Sequence, residues 1–307
     1  MKTIFMKTLS GMFKPVIAGI YFGLTFLVSL IFIILRFDKT SISLITDSAL
    51  SVVIFMFFLI QCGIISIITI TLTGSGMFAT EEAEGTMRIL ASKPIKRSSI
   101  VTGKLLGVAT GSFIYMITST VLTLTSLGIL SGIDVDVFKL VISKMPSTIL
   151  YGIFIIFFFL GVSGLLSTIF KKKIPAIIII IVYLLLSFGV FPIVRNIMTS
   201  YGENKYSRFK IYLVDTNYHL GAIYSSILNT TGNIELSDDS KQLIGVFTGM
   251  YIAKTKDLDL MDNSNNYPYT VATNNTINNN LLLIIYSLTA ITCYAFTYIR
   301  MERKDIN

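Results

Sequence analysis

Residues 175–194, PAIIIIIVYLLLSFGVFPIV, decide the fold, because this run of 20 residues carries no charged side chain. Twenty helical residues rise about 30 Å, which matches the hydrocarbon thickness of a bilayer. Strands of a membrane β-barrel would instead be about ten residues long with alternating polarity. The run from Ile177 to Val182 does not alternate. The stretch therefore predicts a transmembrane helix.

Five other stretches meet the same requirement, at about 15–35, 49–73, 105–130, 147–170 and 281–299. The composition agrees, since 53% of residues are hydrophobic, only 14% are charged, and the mean hydropathy is +0.75. Soluble domains have a more polar balance. We therefore predict an all-α polytopic membrane protein with six transmembrane helices. The first should remain in the mature protein, because no small-residue cleavage site follows its apolar run.

Basic residues concentrate on one side of the predicted membrane. In the loops near 36–48 and 131–146, bases are balanced by aspartates, whereas the other segments carry a basic excess. Such an excess marks the cytoplasmic side. Both termini are predicted to be cytoplasmic, and the net charge of +8 then needs no nucleic-acid partner. The abundance of Ile, Lys and Asn fits a bacterium with AT-rich codons, so the membrane is predicted to be a bacterial plasma membrane. The basic residues are Lys2, Lys7, Lys14, Arg88, Lys93, Lys96, Arg97, Lys104, Lys171, Lys172, Lys173, Arg300, Arg303 and Lys304.

The spans divide the chain into five parts. Residues 1–14 are predicted to form an amphipathic helix in the membrane interface, because four apolar residues share one helical face. A frayed basic tail is the alternative. Residues 15–195 hold the first five transmembrane helices and a cytoplasmic loop at 74–104. An external domain at 196–280, a sixth span at 281–299 and a cytoplasmic tail at 300–307 follow. The shared face of residues 1–14 consists of Phe5, Leu9, Met12 and Phe13.

The external domain is predicted to contain two amphipathic helices and a loop. The second helix should begin near Asp238 and Asp239, because acids favour a helix N-terminus. An Asn-rich stretch before Leu281 is interpreted as a loop or linker. His219, the only histidine of the chain, is assigned a surface or packing role. The apolar positions are Leu220, Ile223, Ile227 and Leu228 in the first helix, and Leu243, Phe247 and Met250 in the second.

The loop between the second and third spans reads TEEAEGTMRILASKPIKRSSIVTGK from Thr80 to Lys104. Three acids come first and would favour a helix start, whereas Pro94 should end or redirect that helix. The segment also carries apolar residues that a loop facing only water does not need. Two interpretations stay open from these residues alone: a rigid acidic helix that acts against a cytoplasmic partner protein, or a solvated loop.

This loop resembles the cytoplasmic loop of type-2 permeases of the ATP-binding-cassette (ABC) transporter superfamily. Their pattern is E-x-E-x-G-T-x-x-x-L-x-x-x-P-x-x-R, followed by G-K before the third span. Ala83 departs from it, since a second acid is common there. The resemblance implies a coupling helix that docks on a nucleotide-binding subunit. Matching positions are Glu81, Gly85, Thr86, Leu90, Pro94, Arg97, Gly103 and Lys104, and the implied docking surface is Glu81, Glu82, Glu84, Gly85, Thr86 and Arg88.

The chain lacks the G-x-x-x-x-G-K-[ST] phosphate loop, since Gly103 and Lys104 are followed by Leu105. ATP hydrolysis, with its ATP and Mg²⁺, is therefore assigned to a separate ABC ATPase subunit, in two copies beneath a pair of permeases. The second permease is another copy of this chain or a homologue. No cofactor, metal site or catalytic residue is predicted for this chain, so it should not be an enzyme by itself.

Polar and small residues within the spans have two interpretations each. Gln61 either bonds across helices or lines a pathway, and the hydroxyl residues Thr118, Thr120 and Thr123 either line a route or pack against their own helix. The spacing of Gly103, Gly107 and Gly111 predicts a close helix-packing face. Gly189 and Pro192 predict a kink in the fifth span. Gly103, Gly107 and Gly111 follow one another at intervals of four residues, and Gly189 lies three residues before Pro192.

The leading hypothesis is a permease subunit of an ABC exporter. Apolar spans without charges suit an amphipathic or hydrophobic cargo, such as a lipid, a drug or a peptide. The alternative is a membrane sensor or antimicrobial-resistance protein, in which the external domain binds a ligand and nothing is transported. Co-purification of an ATPase subunit would separate the two hypotheses.

Overall fold

The computed structural model describes residues 1–34, 50–87, 96–130, 133–199, 205–232, 236–254 and 270–303. The predicted loop at 36–48, together with Arg88 and Pro94, lies outside these residues. Within them the chain is mainly helical, with one two-stranded antiparallel sheet. We number the helices α1 Lys2–Met12, α2 Pro15–Ile34, α3 Leu50–Ala83, α4 Arg97–Leu130, α5 Val135–Ser143, α6 Met145–Ile169, α7 Lys173–Met198, α8 Lys205–Arg208, α9 Thr216–Leu228, α10 Asp238–Thr248 and α11 Asn279–Arg303.

Among the residues that the structure describes, five helical segments are long and apolar enough to cross a membrane: α3, α4, α5 with α6, α7 and α11. This confirms the prediction of a helical, multi-pass membrane protein. A sixth crossing is counted only if α1 and α2 are taken as one span, and these two helices bend by 54° at their junction. Pro15 begins α2, where its missing N–H costs no hydrogen bond.

Two of the spans contain π-helical turns, at Phe57–Ile65 in α3 and Leu186–Val190 in α7. The second lies just before Pro192, which lacks an N–H group and crowds the carbonyl four residues earlier. The widened turn relieves that conflict at the place where the sequence predicted a kink. The two turns pack together: a Cβ added at Gly63 would lie 2.9 Å from Cζ of Phe188. Only glycine therefore allows this approach.

The predicted external loop at 131–146 is largely helical, which corrects that expectation. Asp134 caps α5 by accepting a hydrogen bond from the backbone N–H of Asp136 at 2.9 Å. Val137 and Val141, one turn apart, are buried. A break at Lys144 separates α5 from α6. The amphipathic pattern of α5 was present in the sequence, but its two aspartates suggested a polar connection.

Helix α9 was predicted to be amphipathic, and the structure shows it buried on every side. Tyr224 lies 4.6 Å from the ring of Tyr151 in α6 and 5.5 Å from that of Phe58 in α3. His219 has a packing role and is 8% exposed, with Nδ1 at 3.1 Å from the hydroxyl of Tyr286 in α11. Helix α9 is thus inserted among the spans rather than covering them.

A buried ion pair fixes α9 to α7. Arg195 of α7 is 4% exposed, and Asp215, which caps α9, is fully buried. The guanidinium donates to the Asp215 carboxylate at 2.6 Å and to the carbonyl oxygen of Val246 in α10 at 3.0 Å. The Tyr206 hydroxyl also donates to Asp215, at 2.8 Å. Burial, and then the neighbouring carboxylate, raises the pKa of Tyr206, so this phenol stays protonated and donates.

Helix α10 and a hairpin complete this region. Helix α10 begins at Asp238, near the predicted start, with Ser237 as its cap, and ends at Gly249 with φ +68°. Strand β1, Tyr251–Lys254, then pairs antiparallel with β2, Thr270–Thr273. Part of the Asn-rich stretch predicted to be a loop is therefore a strand. The Asn274 side chain donates to the carbonyl oxygen of Gly249 at 3.1 Å, so this asparagine belongs to the packed structure.

Candidate functional site

The acidic segment, residues 79–87, includes the tip of α3 and lies at one end of the bundle, together with α1, the start of α4 and the end of α11. We call this the basic end, because basic residues of three helices meet there. Lys7 of α1 lies 3.8 Å from the Glu81 carboxylate, and Arg97 of α4 donates to the carbonyl oxygen of Glu302 in α11 at 2.9 Å. Arg300 of α11 donates to the carbonyl oxygen of Thr168 in α6 at 3.2 Å.

A short helix, Ala79–Ala83, forms the tip of α3 at the basic end. The chain unwinds into turns just before it, and the Ser167 hydroxyl of α6 accepts hydrogen bonds from the backbone N–H groups of Phe78 at 2.8 Å and Ala79 at 3.2 Å. These are among the donors that a helix start leaves unpaired. Gly85, with φ +69°, follows the helix and adopts the left-handed conformation that favours glycine.

Glu81 faces inward and forms an ion pair with Lys104 of α4. The Lys104 side chain is only 4% exposed; its ammonium also donates to the carbonyl oxygen of Met77 at 2.6 Å and lies 5.0 Å from the centre of the Phe78 ring. This ammonium is therefore enclosed by the base of the acidic segment. The Glu81 side chain is half-buried, at 19% exposure, and its carboxylate lies between Lys104 and Lys7, although the resemblance implied that it belongs to a docking surface.

The other residues of the implied docking surface differ in exposure. Glu84 and Gly85 are exposed, whereas Glu82 and Thr86 are half-buried. The Thr86 hydroxyl donates to the carbonyl oxygen of Glu81 at 3.3 Å. Arg97 is turned toward α11 and also donates to the carbonyl oxygen of Met301, at 3.4 Å. The exposed part of the described segment is therefore centred on Glu84 and Gly85.

The three glycines of α4 lie against α1. A Cβ added at Gly103 would lie 3.3 Å from Cβ of Ile4, and one at Gly107 would lie 2.8 Å from Cβ of Thr8. Gly111 is in close contact with Met12. The face of α1 that packs is thus Ile4, Thr8 and Met12, whereas Phe13 is exposed. The predicted apolar face is only partly the buried one, because the glycines of α4 leave room for Ile4, Thr8 and Met12.

Replacing Gly107 by leucine should displace α1 from α4. The new side chain would meet Thr8 and the backbone of Phe5, and overpacking of this kind costs about 1–3 kcal/mol. We expect a lower thermal midpoint in detergent and faster proteolysis within residues 1–14. Gly19→Leu is the matched control, because nothing lies within 4 Å of a Cβ at Gly19. Equal behaviour of the two variants would contradict the packing role.

Gln61 joins helices within the bundle. Its amide donates to the Ser119 hydroxyl of α4, and its carbonyl oxygen accepts from Thr123 at 3.4 Å. Ser119 also lies 3.1 Å from the Thr25 hydroxyl of α2. These bonds give Gln61 and Thr123 an interhelical role.

The other two hydroxyl residues of α4 are placed differently. Thr118 donates to its own helix, to the carbonyl oxygen of Ile114 at 2.8 Å, and Thr120 is buried. A groove of about 560 Å³ opens between α4, α6 and α11, and its lining hydroxyl residues are Thr102, Thr110, Tyr294 and Tyr298. None of the four residues predicted to line a pathway contributes to that groove. Among the described residues, no cluster of His, Cys, Asp and Glu could hold a metal ion.

Five apolar crossings in one chain, and an acidic helix fixed at one end of them, define a multi-pass helical membrane protein. The chain belongs to the ABC-2 family of transporter proteins, whose sequence model matches residues 33–306. It is therefore the membrane permease of an ABC transporter, a class that works with a separate ABC ATPase subunit. The match confirms the ABC transporter family, which the loop from Thr80 to Lys104 resembles. No individual curated protein matches the chain.

Proposed function

We propose that this chain is the permease subunit of an ABC exporter, and that the segment from Ala79 to Met87 couples it to the ATPase. The supporting observation is the way in which that segment is anchored to the bundle. Its base is held by Ser167 and Lys104, while Glu84 and Gly85 are exposed at its tip. A helix held in this way transmits a push from a partner into α3, α4 and α6 without bending first.

The proposed orientation places the basic end in the cytoplasm of a bacterium, with α2 as the first of six spans. The positive-inside rule supports this orientation. Residues 196–280, with α9, α10 and the hairpin, are then external, although α9 reaches into the bundle. The α1 helix lies in the cytoplasmic interface, where Lys2 and Lys14 face anionic headgroups.

Glu84, Gly85, Glu82 and Thr86 form the proposed docking surface, and Glu81 is assigned a positioning role. Carboxylates at such a surface fix partner choice and register more than they add affinity. Two ATPase copies would bind beneath two permeases and supply the ATP and Mg²⁺ chemistry. The apolar walls of the bundle favour an amphipathic or hydrophobic cargo, such as a lipid, a drug or a peptide.

Reversing the exposed charge in Glu84→Lys should abolish the stimulation of the partner ATPase by the permease. The new ammonium would face the cationic groups that a carboxylate selects, and such a mismatch costs several kcal/mol. ATP hydrolysis is measured in proteoliposomes that contain the complex. Asp136→Lys is the control, because Asp136 is an exposed acid of α5, far from the basic end. Normal stimulation in Glu84→Lys would remove Glu84 from the docking surface.

Affinity capture separates the exporter from the sensor alternative. The tagged permease, solubilised from its own host, should carry a nucleotide-hydrolysing subunit in stoichiometric amount, and Glu84→Lys should lose it. A sensor kinase, or no partner for the wild-type protein, would favour the sensor.

A further inference from the structure

We propose that a groove between α6 and α11 at the basic end binds an anionic phospholipid, with its phosphate held by Arg300 and Arg303. The acyl chain would lie along the apolar floor of the groove. This site is distinct from the acidic segment and from the groove of about 560 Å³ that begins near Thr102.

The groove has the shape and polarity that one lipid chain requires. Its volume is about 500 Å³, within the usual range for ligand sites of roughly 300–1,000 Å³. Four of its lining residues belong to α11 and follow the spacing i, i+3, i+4 and i+7, which places them on one helical face. The two residues from α6 are four apart and face them. The lining residues are Leu165, Ile169, Phe296, Ile299, Arg300 and Arg303.

The two arginines lie at the mouth of the groove, where a lipid phosphate would bind. The Nε of Arg300 donates to the carbonyl oxygen of Thr168 at 3.2 Å, which orients the guanidinium at the mouth of the groove. Arg303 follows three residues later on the same face and is exposed. Guanidinium groups bind phosphate oxygens through two parallel N–H donors. Glu302 is two residues from Arg300 and therefore lies on the opposite side of α11.

A lipid is the occupant that fits both parts of the site. The apolar part of the groove belongs to membrane-crossing helices, and the arginines lie at the ends of those helices, where headgroups begin. Basic pockets between transmembrane helices bind anionic headgroups. A free phosphate would leave Leu165 and Phe296 uncovered, and an apolar helix of another chain would leave the two guanidinium groups without an anion.

The bound lipid would also touch the part of α11 that holds the start of α4. The last turn of α11 supplies the carbonyl oxygens of Met301 and Glu302 that bind Arg97, at the start of α4. Arg300 and Arg303 flank those two residues. Lipid binding would therefore stabilise the contact of α11 with α6 and, through Arg97, with α4.

The absence of tryptophan from the chain allows a direct test. Phe296→Trp places a single fluorophore in the groove, where Phe296 is 55% exposed. The variant is reconstituted in phosphatidylcholine vesicles and titrated with brominated phosphatidylglycerol or brominated phosphatidylcholine. Each basic residue near an anionic headgroup contributes a factor of about 5, so we expect roughly 25-fold stronger association of the anionic lipid.

Two further variants make the result specific. Arg300→Gln with Arg303→Gln, in the Phe296→Trp background, should remove the preference for the anionic lipid. Leu288→Trp is the matched control: Leu288 is 57% exposed on α11 and lies 12 residues before Arg300, outside the groove and away from the basic end. It should show little preference between the two lipids.

Three outcomes would overturn the proposal. Equal quenching of Phe296→Trp by both brominated lipids would mean that only bulk lipid covers the groove. Absence of quenching by either brominated lipid would mean that protein covers the groove, for example a second copy of the chain. A preference that survives the loss of both arginines would assign the anionic selectivity to other basic residues.

Discussion

Replacing Glu81 by methionine should destabilise the permease by about 3–5 kcal/mol, the usual cost of leaving one member of a buried ion pair without its partner. Lys104 would be left without its carboxylate within the α3–α4 contact, because its side chain is almost fully enclosed. Lys7 cannot compensate, since it carries the same charge. The measurement is the thermal midpoint of the purified protein in detergent, together with the stimulation of the partner ATPase, and both should fall sharply.

The double variant Glu81→Met with Lys104→Met is the control for this prediction. Removing both charges should restore most of the stability, because an apolar pair of similar size often replaces a buried ion pair without loss. If Glu81 only positions the acidic segment, ATPase stimulation should return with stability. If stability returns and stimulation does not, Glu81 contacts the ATPase directly. An unchanged thermal midpoint in Glu81→Met would contradict a stabilising role for the Glu81–Lys104 pair.

Replacing Asp215 by alanine should be at least as damaging to the region that contains α9. The change leaves Arg195 buried without its carboxylate, which lowers stability by about 3–5 kcal/mol. It also removes the cap of α9, which lowers stability by about 1 kcal/mol more. The carboxylate also accepts from the backbone N–H of Tyr218 at 2.9 Å. Limited proteolysis should cleave within residues 205–254 much faster than in the wild-type protein.

Asp134→Ala provides the matched comparison, because Asp134 caps α5 in the same way but is exposed. It should cost only the capping contribution of about 1 kcal/mol. A similar loss in both variants would mean that the Arg195–Asp215 pair adds nothing to stability. Arg195→Met should resemble Asp215→Ala in proteolysis, because it leaves the buried carboxylate without its cation.

The spans were predictable because each one is a local property of the sequence. A run such as residues 175–194 has one low-energy state in lipid, since a helix satisfies its own backbone hydrogen bonds. The start of α10 at Asp238 and the disturbance near Pro192 have local causes too. These features depend on residues within a few positions of one another.

Other parts of the fold depend on contacts between distant residues, and the sequence does not reveal these. The burial of α9 depends on Tyr151, Phe58 and Tyr286, each on a different helix. The strands β1 and β2 are four residues long and separated by residues 255–269, so neither has enough length for a periodic pattern. Arg195 lies at the end of an apolar run, where a basic residue is expected to face headgroups.

The motif of the acidic segment was visible in the sequence, but its internal arrangement was not. The motif places Glu81, Glu84 and Gly85 together in one implied surface. The structure separates them, because Glu81 turns toward Lys104, 23 residues further along the chain. The available signal in the sequence was Lys104, which follows Gly103 and directly precedes the predicted span at 105–130. The glycine itself is explained by α1, which lies against Gly103.

The π-helical turn of α3 has a consequence for insertions and deletions in this chain. Such a turn arises where a regular helix accommodates one surplus residue. Deleting one residue between 57 and 65 would let the turn relax to α geometry, and Ser66–Gly74 would keep facing its present neighbours. The same deletion elsewhere in α3 would rotate everything beyond it by about 100°, turning buried side chains toward lipid.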